Sequence, residues 1–263
     1  MNHVQALNQL ASFLGRRDLP MLSPVQLQES YGLSQVDVFV LFGGSILAGV
    51  DVLAEAMSQQ IAKHYIIVGG VGHTTAALRE KVLLDSPDMD ILDASEAEIF
   101  QAILLEKYGY QADELEVSST NCGNNITYLL QLLAEKELDW KSMILSQDAT
   151  MQYRMSACLE KYCRDDQLVL NYASYVANFQ EIDGELSLRP SDLWGMWSVE
   201  KYIELLMGEI PRLRNDETGY GPNGRNFIAA VDLPNEVEEA FEALQASYGH
   251  LVRQANPAYA DKK

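Results

Sequence analysis

The sequence predicts an α/β fold: a mostly parallel sheet with helices on both faces. Short β-branched runs alternate with amphipathic helical segments, the pattern of strand–helix–strand units. Val36 to Phe42 is almost continuously apolar, as expected of a strand covered on both sides. Four of the strand-like runs end in short glycine-rich or polar turns. In a parallel sheet all such turns lie at one edge, where helix N-termini and backbone N–H groups converge.

The elements follow in order. "MNHVQALNQLASFLGRRD" reads as an amphipathic helix, with Val4, Leu7, Leu10 and Leu14 on one face. The strand "VDVFVLF" runs into Gly43-Gly44-Ser45. Val50, Leu53, Ala54, Met57 and Ile61 then recur at helical spacing. A second strand, Tyr65 to Val68, ends in "GGVGHTT", Gly69 to Thr75. Ser95 and Glu98 have capping-box spacing ahead of a helix that Gly109 should stop. A strand at Leu115–Val117 leads through Ser118-Ser119-Thr120-Asn121 into a helix with Ile126, Leu129, Leu130 and Leu133 on one face. A strand at Met143–Leu145, the turn Ser146-Gln147-Asp148-Ala149-Thr150 and a helix capped by Asp148 repeat the unit, and "QLVLNYAS" is one more strand.

After about residue 173 the alternation stops. "NFQEIDGELSLRPSDLWGMW" reads as irregular. "SVEKYIELLMGEIPRLRND" reads as a helix that Pro211 should bend or end, and a terminal helix follows a glycine-proline loop. The expected organisation is an N-terminal helical segment at 1–33, an α/β core at 34–175, and a mainly helical subdomain at 176–263 packed against the carboxyl ends of the strands.

Composition narrows the function. The net charge is −19 over 263 residues and basic residues are nowhere dense, which argues against nucleic-acid partners and anionic membrane surfaces. The three cysteines form no CxxC pair, pointing to a reduced, cytoplasmic protein without structural disulfides. No apolar run spans a bilayer, and the histidines and cysteines have no zinc-ligand spacing, so no metal is expected. The glycine turns match neither the dinucleotide fingerprint nor the P-loop, and there is no nucleophile elbow.

The turns define a candidate pocket. Gly43, Gly44, Ser45, Gly69, Gly70 and Gly72 would let the backbone approach a ligand closely, with Thr74 in the second turn. His73 could be a hydrogen-bond donor, a general base, or a ring satisfied by a carbonyl. Glu96, in the first turn of its helix, is either a surface acid favoured by the helix dipole or a pocket acid. Ser119, Thr120, Asn121 and Asn125 could cap a helix or bind polar groups. Gln147 offers an amide to read a ligand. Asp148 could serve a ribose or cap the helix. Arg154 could reach an anion or pair with Glu96. Tyr220, in the loop Gly219-Tyr220-Gly221-Pro222, could stack on a base with Arg225 nearby, or belong to a packed turn. His73, Glu96 and Asp148 are the catalytic candidates.

In order, "VLFGGS", "IIVGGVGHTT", "SEAEIF", "SSTNCGNN" and "SQDATMQYRM", together with "LWGMWSVEKYIELLMGEIPRLRNDETGYGPNGRNFI", resemble the YdcF family, part of a broad bacterial group of unassigned function with SanA and ElyC relatives. The resemblance runs from about Val36 to Pro234. It implies a Rossmann-like three-layer α/β/α fold, a site at the strand carboxyl ends, and binding of S-adenosyl-L-methionine or another nucleotide-like molecule. The family motif positions fall on Gly43, Gly44, Gly69, Gly70, Gly72, Glu96, Ser119, Thr120, Asn121, Asn125 and Arg154. Wider-family members carry a histidine where this chain reads Thr150-Met151-Gln152-Tyr153-Arg154, so chemistry depending on that histidine is not carried over.

Three functions are in view. The leading one is binding of a nucleotide-like or anionic small molecule. The alternative is an enzyme, either a hydrolase of phosphate or amide substrates or a transferase using S-adenosylmethionine. The third is a regulatory module that meets a protein partner through its acidic surface.

Overall fold

The computed structural model describes residues 1–72 and 74–252. Five strands form one parallel sheet: β1 (Val36–Phe42), β2 (Ala62–Val68), β3 (Glu114–Glu116), β4 (Ser142–Ser146) and β5 (Leu168–Asn171), in the order β3-β2-β1-β4-β5. The register places Val38 beside His64 on one side of β1 and beside Met143 on the other. β1 is therefore central, which explains its unbroken apolar run. Val38, Val40 and Phe42 enter one hydrophobic cluster, and Phe39 and Leu41 enter the other. That is the period-two alternation of a strand buried on both faces.

One face is covered by α3 (Ala48–Ser58), α4 (Thr75–Asp85) and α5 (Glu96–Tyr108). The other carries α1 (His3–Leu14), α6 (Cys122–Glu135), α7 (Gln152–Glu160), α8 (Val199–Leu213) and α9 (Asn235–Tyr248). In α1, Asn2 and Gln5 close a capping box, and Ala6, Leu7, Leu10, Ala11 and Leu14 are buried. Each fully buried leucine contributes about 2 kcal/mol, so this face suffices to hold α1 on the body. The Ser95–Glu98 capping box and the Gly109 stop of α5 are as expected; Gly109 takes the left-handed conformation at φ 71°. Among the described residues, no helix is long and apolar enough to cross a membrane.

Several expectations need correction. A further helix, α2 (Pro24–Tyr31), is capped by Ser23, carries proline at its first position and stops at Gly32, with φ 70°. The third strand lies one residue earlier than expected, at Glu114–Glu116. The segment read as irregular contains an antiparallel hairpin of β6 (Asn178–Ile182) and β7 (Glu185–Arg189). Its turn, Asp183-Gly184, has φ of 54° and 82°, the left-handed pair that a two-residue hairpin needs. Pro211 does not end α8 at once; the helix continues to Leu213. The proline sits in the last turn, and the Arg212 guanidinium donates to the Gly208 carbonyl there.

The C-terminal segment is not a separate helical layer over the strand ends. α8 and α9 pack against α1 in the same cluster as α6 and α7, and Asn8 bridges α1 to β6 through Phe179. The link before α8 reaches the carboxyl edge of the sheet. The Leu47 amide donates to the Trp194 carbonyl at 3.4 Å, and Trp197 Nε1 donates to Asp148 at 2.9 Å.

Candidate functional site

The turns after β1 and β2 lie side by side because their strands pair. The Gly43 amide donates to Val68 at 2.7 Å, and the Gly69 amide donates to Glu116 at 2.9 Å, so the ladder runs on into the glycines. A side chain at Gly43 would meet Glu96 Cβ at 2.7 Å, and one at Gly69 would meet it at 3.1 Å. At Gly70 a Cβ would lie 2.0 Å from the Ser119 carbonyl. The close approach made by these three glycines is therefore to the protein itself. It lets the N-terminus of α5 dock, with the Glu96 and Ala97 amides donating to Gly70 and Gly69.

Gly44 and Gly72 differ from the other three. An added Cβ at Gly44 would first meet Gln147 Oε1 at 3.5 Å, and one at Gly72 the Thr120 carbonyl at 3.9 Å, which are ordinary contacts. Among the described residues, the amides of Gly44, Ser45 and Ile46 donate to no partner. Ser45 is half-buried beneath Gly195, whose φ is 78° and whose Cα approaches so closely that a Cβ would sit 2.3 Å from the Ser45 carbonyl. The Trp194-to-Trp197 segment thus roofs the turn after β1, and Trp194 Nε1 donates to Asp85 at the end of α4. Sequence reasoning placed Tyr220 either against a ligand base or in a packed turn, and did not single out the tryptophan segment. The signal for the true cover was two tryptophans flanking a glycine.

Glu96 is partly exposed and accepts from the Thr75 hydroxyl at 2.9 Å and the Thr74 hydroxyl at 3.3 Å. Thr75 Oγ1 in turn accepts from the Gly72 amide at 2.8 Å. His73 lies outside the described residues.

After β3, Ser119 is buried and its hydroxyl accepts from the Gly70 amide at 3.1 Å. Asn121 caps α6 by accepting from the Asn124 amide, and Thr120 and Asn121 both donate to Asn124 Oδ1. Asn125 stands half-buried in the first turn of α6. Glu116, which sequence reading did not single out, is 6% exposed. Its Oε1 accepts from the Ser118 and Ser119 amides at 2.6 and 3.0 Å, and among the described residues its Oε2 has no hydrogen-bond partner.

After β4, buried Gln147 donates from Nε2 to the Gly43 carbonyl at 3.3 Å and accepts from the Asp148 amide. Asp148 does not cap α7, whose N-cap position is Met151. It accepts instead from the Thr150 amide and hydroxyl, from Tyr175 Oη at 3.0 Å, and from Trp197 Nε1. Burial, reinforced by this carboxylate, pushes the Tyr175 phenol well above its usual range. Both Asp148 oxygens are thus engaged in organising the turn and the roof, which leaves little for proton transfer.

Arg154 does not meet Glu96. It is nearly buried and forms a two-point pair with Glu209 of α8, at 2.5 and 3.1 Å, with Met151 Sδ also beside it. Burial opposes its charge, but Cys122 and Glu209 outweigh that and hold the guanidinium firmly charged. Tyr220 packs edge-on against Phe227, with Arg225 6.0 Å above its ring. The neighbouring Asn226 and Ala229 bond to Lys161 and Ala157 in the C-terminal half of α7. That half lies toward the amino edge of the sheet, because α7 starts at the carboxyl end of β4. Tyr220 and Arg225 therefore form a packed turn, away from the four strand-end turns.

The structure brings together Gly43, Gly44, Ser45, Gly69, Gly70, Gly72, Thr74, Glu96, Ser119, Thr120, Asn121, Gln147 and Asp148 at one edge; Arg154 stands beside Cys122 at the start of α6 but is committed to Glu209, and Tyr220 and Arg225 lie away from the turns. One open hollow of about 510 Å³ lies between the β6–β7 hairpin and the start of α8, lined in part by Met196 and Trp197 of the roofing link, and one of about 380 Å³ lies beside Trp140. No protein-family model matches the chain.

Proposed function

We propose that this chain is a YdcF-like, Rossmann-like α/β/α protein that binds a nucleotide-like or anionic small molecule at the carboxyl edge of its sheet, with S-adenosyl-L-methionine the candidate ligand. One observation carries the reading: the consecutive unpartnered amides of Gly44, Ser45 and Ile46 at the strand end where the sheet order changes direction. From β1 the chain crosses to β2 on one side, while β4 lies on the other. The crevice at such a switch point is where open α/β sheets receive ligands. Unpaired N–H groups there suit a phosphate or carboxylate. Gln147 and Ser45 border the crevice, and the Trp194–Trp197 link forms its roof.

Isothermal calorimetry with S-adenosyl-L-methionine tests this. Gly44→Val adds bulk where only the Gln147 amide is near, so the variant should fold as before and bind at least tenfold more weakly, a loss of about 1.4 kcal/mol. Unchanged affinity in a folded variant would place the ligand elsewhere, and no binding by the unaltered protein would reject this ligand.

A further inference from the structure

The β6–β7 hairpin has two outer edges, and the fold treats them differently. On β6, the Phe179 amide donates to Asn8 Oδ1 at 2.6 Å, and its carbonyl accepts from Asn8 Nδ2 at 2.9 Å. Phe179 therefore turns its main-chain groups away from β7. In an antiparallel pair, opposed residues either exchange both of their bonds or both face outward. The register sets Leu188 opposite Phe179 and Leu186 opposite Glu181. The amides and carbonyls of Leu186 and Leu188 thus point to the outer edge of β7, and among the described residues no hydrogen bond is made to them there. That edge borders the hollow of about 510 Å³, which Leu186 and Leu188 line together with Met196, Trp197 and Val199. An open, apolar strand edge is a template for a further strand.

The sequence of β7 selects that strand. Read against its own reverse, Glu185-Leu186-Ser187-Leu188-Arg189 matches acid with base, leucine with leucine and serine with serine. Glu185 and Arg189 are exposed, and among the described residues neither forms an ion pair. We propose that β7 is the interface between two copies of this chain, paired antiparallel across a twofold axis at Ser187. In that register Leu186 of each copy exchanges both main-chain bonds with Leu188 of the other, which satisfies the outward groups. Glu185 of each copy stands opposite Arg189 of the other, in the close positions where cross-strand charges interact. The two hairpins join as one continuous sheet. A strand of another protein needs only the main-chain groups, whereas the reversed match of charge is what a second copy supplies. The interface does not depend on the ligand site proposed above.

Sedimentation velocity on the full chain over a range of concentrations tests this. The unaltered protein should dimerise as its concentration rises. Glu185→Arg and Arg189→Glu each set like charges opposite one another and should weaken the dimer about tenfold or more. An equimolar mixture of the two variants restores both opposite-charge pairs and should recover it. Cysteine cross-linking checks the register. Ser187→Cys faces its own copy with Cα atoms about 4.5 Å apart, within disulfide reach, so oxidised glutathione should give a reducible covalent dimer beyond the unaltered protein's level. Glu185→Cys, which faces Arg189 rather than itself, should not. An unaltered protein that stays monomeric at about 100 µM overturns the proposal and makes Glu185 and Arg189 guards against edge pairing. A dimer that both charge variants leave intact, a mixture that does not recover it, or cross-linking that is absent at 187 or equal at 185 also overturns it. If a charge variant fails to fold, the pair of cysteine variants decides alone.

Discussion

Two carboxylates at opposite ends of the sheet are treated in opposite ways. At the amino edge, Asp37 pairs with Lys63 at 2.7 Å, and its other oxygen accepts from the Lys141 and Ser142 amides and the Ser142 hydroxyl. Its burial would raise its pKa, but these partners outweigh that and hold it at about 2. At the carboxyl edge, Glu116 has amides on one oxygen and, among the described residues, no hydrogen bond on the other. Both sit on strands of the same sheet, so strand geometry does not explain the contrast. The amino edge completes its own hydrogen bonds, whereas the carboxyl edge leaves amides on β1 and a carboxylate on β3 short of partners. Incomplete satisfaction at one edge is what a binding site needs and a purely structural edge avoids.

The same contrast divides the glycines. Gly70 is required by packing, because Ser119 occupies the space of its missing side chain, whereas Gly44 has room. The largest effect should therefore come from Gly70→Ala. A Cβ 2.0 Å from a buried carbonyl forces the β3–α6 turn away, and urea unfolding should show a loss above about 4 kcal/mol or no folded protein. A loss under about 1 kcal/mol would mean that the turn yields readily and that Gly70 is free for a ligand after all.

The next effect probes the amino edge. A carboxyl held low in the folded state contributes stability that is complete above its ordinary pKa of 3.8 and is lost as pH falls through about 2. Asp37→Asn should remove that contribution, about 1 kcal/mol after solvent screening of the exposed Lys63 partner. Its stability should accordingly vary less than the unaltered protein's between about pH 4 and 2. Parallel acid limbs in the two proteins would show that Asp37 is no better satisfied than an ordinary surface acid. The smallest effect should be that of Gly44→Ala, within about 0.5 kcal/mol in the same urea measurement. A large loss there would erase the distinction between the two glycines.

Much of the frame was legible in the chain. The apolar run of β1, the Ser95–Glu98 box and the Asn121 cap depend on residues within a few positions of one another. The hairpin and α2 carry equally local signals: Asp183-Gly184 is a strong turn signal, and Ser23-Pro24 with Gly32 marks both ends of a helix. The site was legible only as a set of turns. Glu116 stands in the acidic stretch "DELEVSS", which reads as surface, and only the covering turn makes it a buried charge. Arg154 finds Glu209 across 55 residues of chain, a pairing that spacing alone does not suggest.

Sequence by itself determined which segments become strands and helices, and that four strand ends share one edge, because periodicity and parallel pairing are local or topological properties. Tertiary structure alone decided which glycines hold protein and which leave room, which acid lost its partner, and that Trp194 to Trp197 rather than Tyr220 roofs the edge. Those outcomes depend on atoms a few ångströms apart contributed by distant segments, and on the cost of burying charge, neither of which is written in any one stretch of the chain.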